Sequence, residues 1–123
     1  DVTRKHILVV EDNADNRMTI SAILEDEGAD LLFAEDGEQG IALARAQQPD
    51  LILMDIQLPV INGMDATRLL KTDAATRAIP VIAVTARAMS GDKATILAAG
   101  FDDYISKPID SSQMLAKVRK WMG

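Results

Sequence analysis

The chain has 123 residues, 48% of them hydrophobic and 26% charged. This is the composition of a globular protein that buries a sizeable core, not of a disordered one. The absence of cysteine and the single histidine exclude a disulfide scaffold and a thiolate zinc site, and argue against a histidine metal cluster or a Ser-His-Asp triad. The net charge of −6 is uneven: residues 11–55 carry twelve acids and two bases, net −10, whereas residues 56–123 carry nine bases and six acids, net +3.

In chain order, the first apolar run is HILVV (residues 6–10). Met18, Ile20, Ile23 and Leu24 then predict a helix over about 14–27, stopped by Gly28. A second strand, DLLFA (30–34), precedes an Ala-rich helix over 37–47 that stops before Pro49. The third strand is LILM (51–54), and a helix from Gly63 through Leu70 toward Asp73 follows it, with Asn62 as its cap. PVIAVTA (80–86) is the fourth strand, and a helix over 88–99 ends at Gly100. DYIS (103–106) is a weaker fifth strand. Met114, Leu115, Val118, Trp121 and Met122 then form an apolar stripe of helical period, capped by Asp110 or Ser111.

Short apolar runs of this kind suit buried strands of a parallel sheet. The weak alternation in DLLFA and DYIS suits positions nearer an edge. Fivefold alternation of strand and helix implies an α/β architecture with helices on both faces of the sheet, and one domain over residues 1–123 is expected. No run approaches the ~20 apolar residues of a membrane span, so no membrane contact is expected. The acidic balance argues against nonspecific nucleic-acid binding. A cytoplasmic protein is the expectation.

Open α/β sheets bind ligands beyond the carboxyl ends of their strands. There the sequence places Glu11-Asp12-Asn13, Asp55, Thr85-Ala86 and Ser106-Lys107-Pro108. Three carboxylates held together repel one another, and a hard divalent cation such as Mg²⁺ is the simplest compensation. An ammonium (Lys107), a metal and a hydroxyl (Thr85) around one carboxylate are what a phosphoryl group needs, with Asp55 as nucleophile. Taken singly, each residue has a plainer reading as a cap or surface residue; the signal is their shared edge. Pro59 and Gly63 read as loop-shaping residues. His6, at the amino end of the first strand, is not expected to take part.

The blocks ILVVEDN, LILMDIQLPVINGMD, PVIAVTA and AGFDDYISKPI resemble the receiver domain of two-component response regulators across essentially the whole length. The resemblance implies a doubly wound (βα)5 flavodoxin-like fold with strand order 2-1-3-4-5. Residue by residue it implies Asp55 as phosphoacceptor and Glu11, Asp12, Asp55 and the backbone carbonyl of Gln57 around Mg²⁺. It further implies Thr85 and Tyr104 as switch residues, Lys107 as the family's lysine, and a cis Lys107–Pro108 bond. The implied donor is a histidine kinase or histidine phosphotransfer protein. The implied output is a downstream protein bound on the face of the fourth helix, fifth strand and fifth helix. Such a domain is a signalling phosphoacceptor that assists its own phosphorylation and hydrolysis, not a conventional enzyme. Arg87, two residues past Thr85, is expected to influence the phosphorylated lifetime.

Alternatives fare worse. A pure interaction module has no need of these five residues. A phosphatase of the haloacid dehalogenase type wants an acid two residues after its nucleophile, where this chain has Gln57. The turn EDNADN lacks the glycines of a dinucleotide-binding domain. Lys117, Arg119 and Lys120 give the last helix a basic side, which suits either its own dipole or an acidic partner.

Overall fold

The structure is a computed structural model describing residues 5–86 and 90–122. Among these residues β1 (Lys5–Val10), β2 (Ala29–Ala34), β3 (Leu51–Asp55), β4 (Val81–Thr85) and β5 (Asp103–Ser106) alternate with helices α1 (Ala14–Leu24), α2 (Gly37–Gln47), α3 (Gly63–Thr72), α4 (Ser90–Ala98) and α5 (Ser111–Met122). The strands form one parallel sheet in the order β2-β1-β3-β4-β5. The two runs of weak alternation are the two edges. None of the helices is long and apolar enough to cross a membrane.

Side chains of the central strands alternate between two cores. Leu8, Val10, Ile52, Met54, Val81 and Ala83 pack with residues of α2, α3 and α4. Ile7, Val9, Leu51, Leu53, Ile82 and Val84 pack with residues of α1 and α5. Because both faces are covered, these strands are apolar at consecutive positions, as a doubly wound sheet requires. At ~25 cal/mol per Å² of buried apolar surface, each fully buried Leu or Ile contributes about 1.5–3 kcal/mol.

Helix starts follow their caps. The side chains of Asn13, Asp36 and Asn62 accept from the backbone N–H three residues on, and Asp110 does the same for Gln113. One end differs from the sequence expectation. Helix α1 stops at Leu24 rather than near residue 27. The run Glu25-Asp26-Glu27 sets three acids against the negative end of the helix dipole, and the Glu27 N–H tightens onto the Leu24 carbonyl at 3.0 Å. The expected start of the fourth helix, at residues 88–89, lies outside the described residues.

Thr67, on the buried face of α3, is fully inaccessible, and its hydroxyl has no hydrogen-bond partner. An unmet buried hydroxyl costs about 1–3 kcal/mol. Thr67→Val keeps the shape and removes that cost. It is expected to stabilise the fold by roughly 1 kcal/mol, read as a higher urea midpoint; an unchanged or lower midpoint would show that the hydroxyl is satisfied.

Candidate functional site

Strand register assembles the site as a staircase. Val10 lies level with Met54, so Glu11 falls beside Asp55. Asp55 lies level with Val84, so Thr85 stands one step beyond it. Thr85 lies level with Ser106, which puts Lys107 next in line. The Lys107 N–H donates to the Thr85 carbonyl at 2.8 Å, and the Lys107–Pro108 bond is cis.

The side chains converge accordingly. Ligand oxygens of Glu11, Asp12 and Asp55 all lie within 4.8 Å of one another. Glu11 and Asp55 are buried, at 1% and 5% exposure, whereas Asp12 is exposed. The Lys107 ammonium lies 3.2 Å from Asp55 Oδ2 and 3.2 Å from Glu11 Oε1. Burial pulls the Lys107 pKa down, but the charges of Asp55 and Glu11 and its close contacts with both outweigh that, leaving it above the ordinary lysine value. Glu11 Oε1 is buried and, among the described residues, meets the shared ammonium at 3.2 Å as an ion pair without hydrogen-bond geometry. A donor set of three carboxylates, one of them with a buried oxygen not hydrogen-bonded by that ammonium, fits a hard divalent cation.

The loops fix these groups from behind. The Gln57 N–H donates to Asp55 Oδ1 at 3.1 Å, and the Asn13 N–H to Glu11 Oε2 at 3.2 Å. Arg17 of α1 reaches back to the Glu11 carbonyl at 2.7 Å, a contact with no signature in the residue pattern. After Asp55 the chain makes a tight turn at Val60, where the Ile61 N–H reaches the Pro59 carbonyl at 2.8 Å. Val60 has φ of 70°, the rare and strained form of γ-turn.

Gly63 does more than shape a loop. A Cβ there would stand 2.0 Å from the Asp55 carbonyl oxygen. The start of α3 thus rests directly on the Asp55 backbone, and the Gly63 N–H bonds the Ile56 carbonyl at 2.8 Å. Gly37 plays the same part on the other side of the loop, where an added Cβ would meet the Ile61 carbonyl oxygen at 2.1 Å.

Beside Thr85 opens a cleft of about 440 Å³, lined by Ile56, Gln57, Met64, Arg68 and Ile96 among others. Thr85 is buried. Tyr104 stands apart from the carboxylates, on edge strand β5. There the Lys117 ammonium lies 4.5 Å from its ring centroid and the Lys93 ammonium 5.4 Å. His6 sits at the amino end of β1, close to Asp30 and Asp50. Arg87 lies outside the described residues.

The basic side of α5 is largely engaged. Lys117 binds Asp103 Oδ1 at 2.8 Å and the Tyr104 carbonyl at 2.6 Å. Arg119 binds Glu27 through two bonds of 2.9 and 3.0 Å. Burial raises the Asp103 pKa, but bonds from Lys117, Trp121 and the Tyr104 N–H more than reverse this, so it lies below the ordinary carboxylate value.

A parallel α/β sheet thus gathers buried carboxylates and an ammonium at its carboxyl edge. The family model described as response regulator receiver domain matches residues 7–119. A protein of Brucella anthropi named polar-differentiation response regulator DivK is 42% identical over 119 residues, covering 97% of each chain. Similar solved structures include two receiver domains of histidine kinases. One is the receiver domain of sensor histidine kinase PA1611 from Pseudomonas aeruginosa PAO1, which has a magnesium ion coordinated in its active-site cleft. It has a TM-score of 0.90 and 38% identity, with 98% of this chain and 99% of that one covered. The other is the signal receiver domain of a signal transduction histidine kinase from Syntrophus aciditrophicus, with a TM-score of 0.87 and 30% identity, covering 96% and 89%. The chain belongs to the response regulator receiver domain family of two-component signalling.

Two outcomes test the geometry. Gly63→Ala forces the start of α3 away from Asp55 and should cost about 1–3 kcal/mol of stability; a urea midpoint equal to that of the parent chain would mean that the contact yields freely. Asp103, held below its unfolded pKa of about 3.9, contributes stability that is complete above that value and is lost as pH falls through the lower folded one. Asp103→Asn should therefore flatten the stability profile on the acid side. A profile with unaltered slope would place the acid sensitivity elsewhere.

Proposed function

We propose that this chain is a phosphoacceptor receiver in a two-component or phosphorelay pathway, with Asp55 taking the phosphoryl group from a partner phosphohistidine. The observation that carries this reading is Asp55 itself. It is a buried carboxylate with an ammonium at 3.2 Å and two further acids within 4.8 Å, at the edge where such sheets bind ligands.

The donor is a histidine kinase or histidine phosphotransfer protein. An Asp55 carboxylate oxygen attacks phosphorus, the P–N bond to the donor imidazole breaks, and the imidazole leaves with the bonding pair. Lys107 and the Thr85 hydroxyl meet the phosphoryl oxygens, and the Gln57 N–H keeps the Asp55 carboxylate oriented. Glu11, Asp12, Asp55 and the Gln57 carbonyl would hold Mg²⁺, which would supply charge neutralisation at those oxygens. Attack of water on the acyl phosphate ends the signal, so the domain is a switch that assists its own chemistry and not a turnover enzyme. Thr85 and Tyr104 relay the change to the face of α4, β5 and α5, where a downstream protein binds; the reading includes no direct contact with nucleic acid or membrane. One domain over residues 1–123 and a cytoplasmic setting complete it.

Incubation with acetyl phosphate and Mg²⁺ is expected to add the mass of one phosphoryl group, which is lost in Asp55→Ala. Lys107→Ala should slow uptake roughly 100-fold or more. Equal uptake by Asp55→Ala would overturn the assignment.

A further inference from the structure

Tyr104 is held at its backbone by hydrogen bonds and at its ring by two cations. Its N–H donates to Asp103 Oδ1 at 2.8 Å, and its carbonyl accepts from Lys117 Nζ at 2.6 Å. Asp103 is itself tied down by Lys117 and by the Trp121 indole N–H at 2.9 Å. While β5 stays paired, a change at residue 104 is therefore a rotation of the side chain. Among the described residues the phenolic oxygen has no hydrogen bond to protein. The polar contacts of the ring are the two ammoniums, Lys93 from α4 at 5.4 Å and Lys117 from α5 at 4.5 Å. Both are within the ~6 Å over which a cation is attracted by an aromatic ring.

From this we infer that Lys93 and Lys117 are positioning residues for Tyr104: they hold its ring at the sheet edge between α4 and α5 and set how often it leaves. The two lysines are not equivalent. Lys117 is anchored by Asp103 and the Tyr104 carbonyl, so its ammonium stays whether or not the ring does. Lys93 is exposed, and its contact with the ring links α4 to β5. A ring that turns toward Thr85 gives up the Lys93 contact and uncouples α4 from the edge. Phosphoryl chemistry at Asp55 then competes against the lysines for one side chain. This regulation rests on the reading of Tyr104 as a switch residue, and it adds the groups that set the resting position.

Lys93→Met keeps the aliphatic stem and removes the charge, on an exposed helix position where folding is not at risk. Lys93→Arg keeps a cation able to stack on the ring. The measurement is NMR of the unphosphorylated full chain with Tyr104 as the only tyrosine, using ring shifts and side-chain couplings to follow the rotamer. Uptake from acetyl phosphate is followed in parallel. Loss of one such contact is expected to raise the turned-in population about 2- to 5-fold. Uptake should accelerate in the same sense, and Lys93→Arg should restore the parent values. In a Tyr104→Leu background, Lys93→Met should have no further effect. An unchanged ring in Lys93→Met, or a change that Lys93→Arg fails to reverse, would overturn the inference. Failure of Asp55 to take up phosphoryl in the parent chain would sink the phosphoacceptor reading instead, while leaving the ring measurement interpretable.

Discussion

The structure depends on crowding two buried carboxylates, and a third exposed one, against a single ammonium. Glu11 and Asp55 are brought together by the β1–β3 register, and Lys107 lies 3.2 Å from each. Desolvating such groups is costly unless they are paired, and one positive charge does not balance three negative ones. The arrangement is tolerable because the carboxylates also take backbone N–H bonds and because Asp12 stays in water. The imbalance that remains is a standing attraction for a cation. In this fold the functional edge is the place where the core's own requirements are least well met.

Much of this was legible in the sequence, for a specific reason. Buried parallel strands are written as uninterrupted apolar runs, so the residue that ends each run marks the sheet edge: Glu11 after HILVV, Asp55 after LILM, Thr85 near the end of PVIAVTA. The weaker runs DLLFA and DYIS are the edge strands, where one neighbour is missing. What the sequence concealed depends on path rather than pattern. Gly63 reads as a turn glycine until the chain is seen to fold back onto the Asp55 carbonyl. Arg119 reads as a solvent-facing base until Glu27, 92 residues away, is seen to hold it. Gly28 reads as the stop of α1, whereas three acids precede it and the helix ends at Leu24.

The loop after Asp55 shows how rigidity is concentrated at the site. Its strained turn at Val60, the contact of Gly63 with the Asp55 backbone and that of Gly37 with Ile61 enclose a few residues from both sides. Strain of this kind persists only where the surroundings overdetermine the backbone. Here α2 and α3 supply that constraint, which holds Gln57 and Asp55 in place without any covalent link.

Strand β5 has four residues and pairs with one neighbour. It nevertheless carries Tyr104 within it and Lys107 at its end. Edge segments open at lower free energy than central ones. When β5 opens locally, the cation facing the buried acids and the aromatic that faces α4 depart in the same event. Charge balance at one end of the sheet and surface shape at its flank thus share one short edge strand. Amide hydrogen exchange along these four residues would report on both at once.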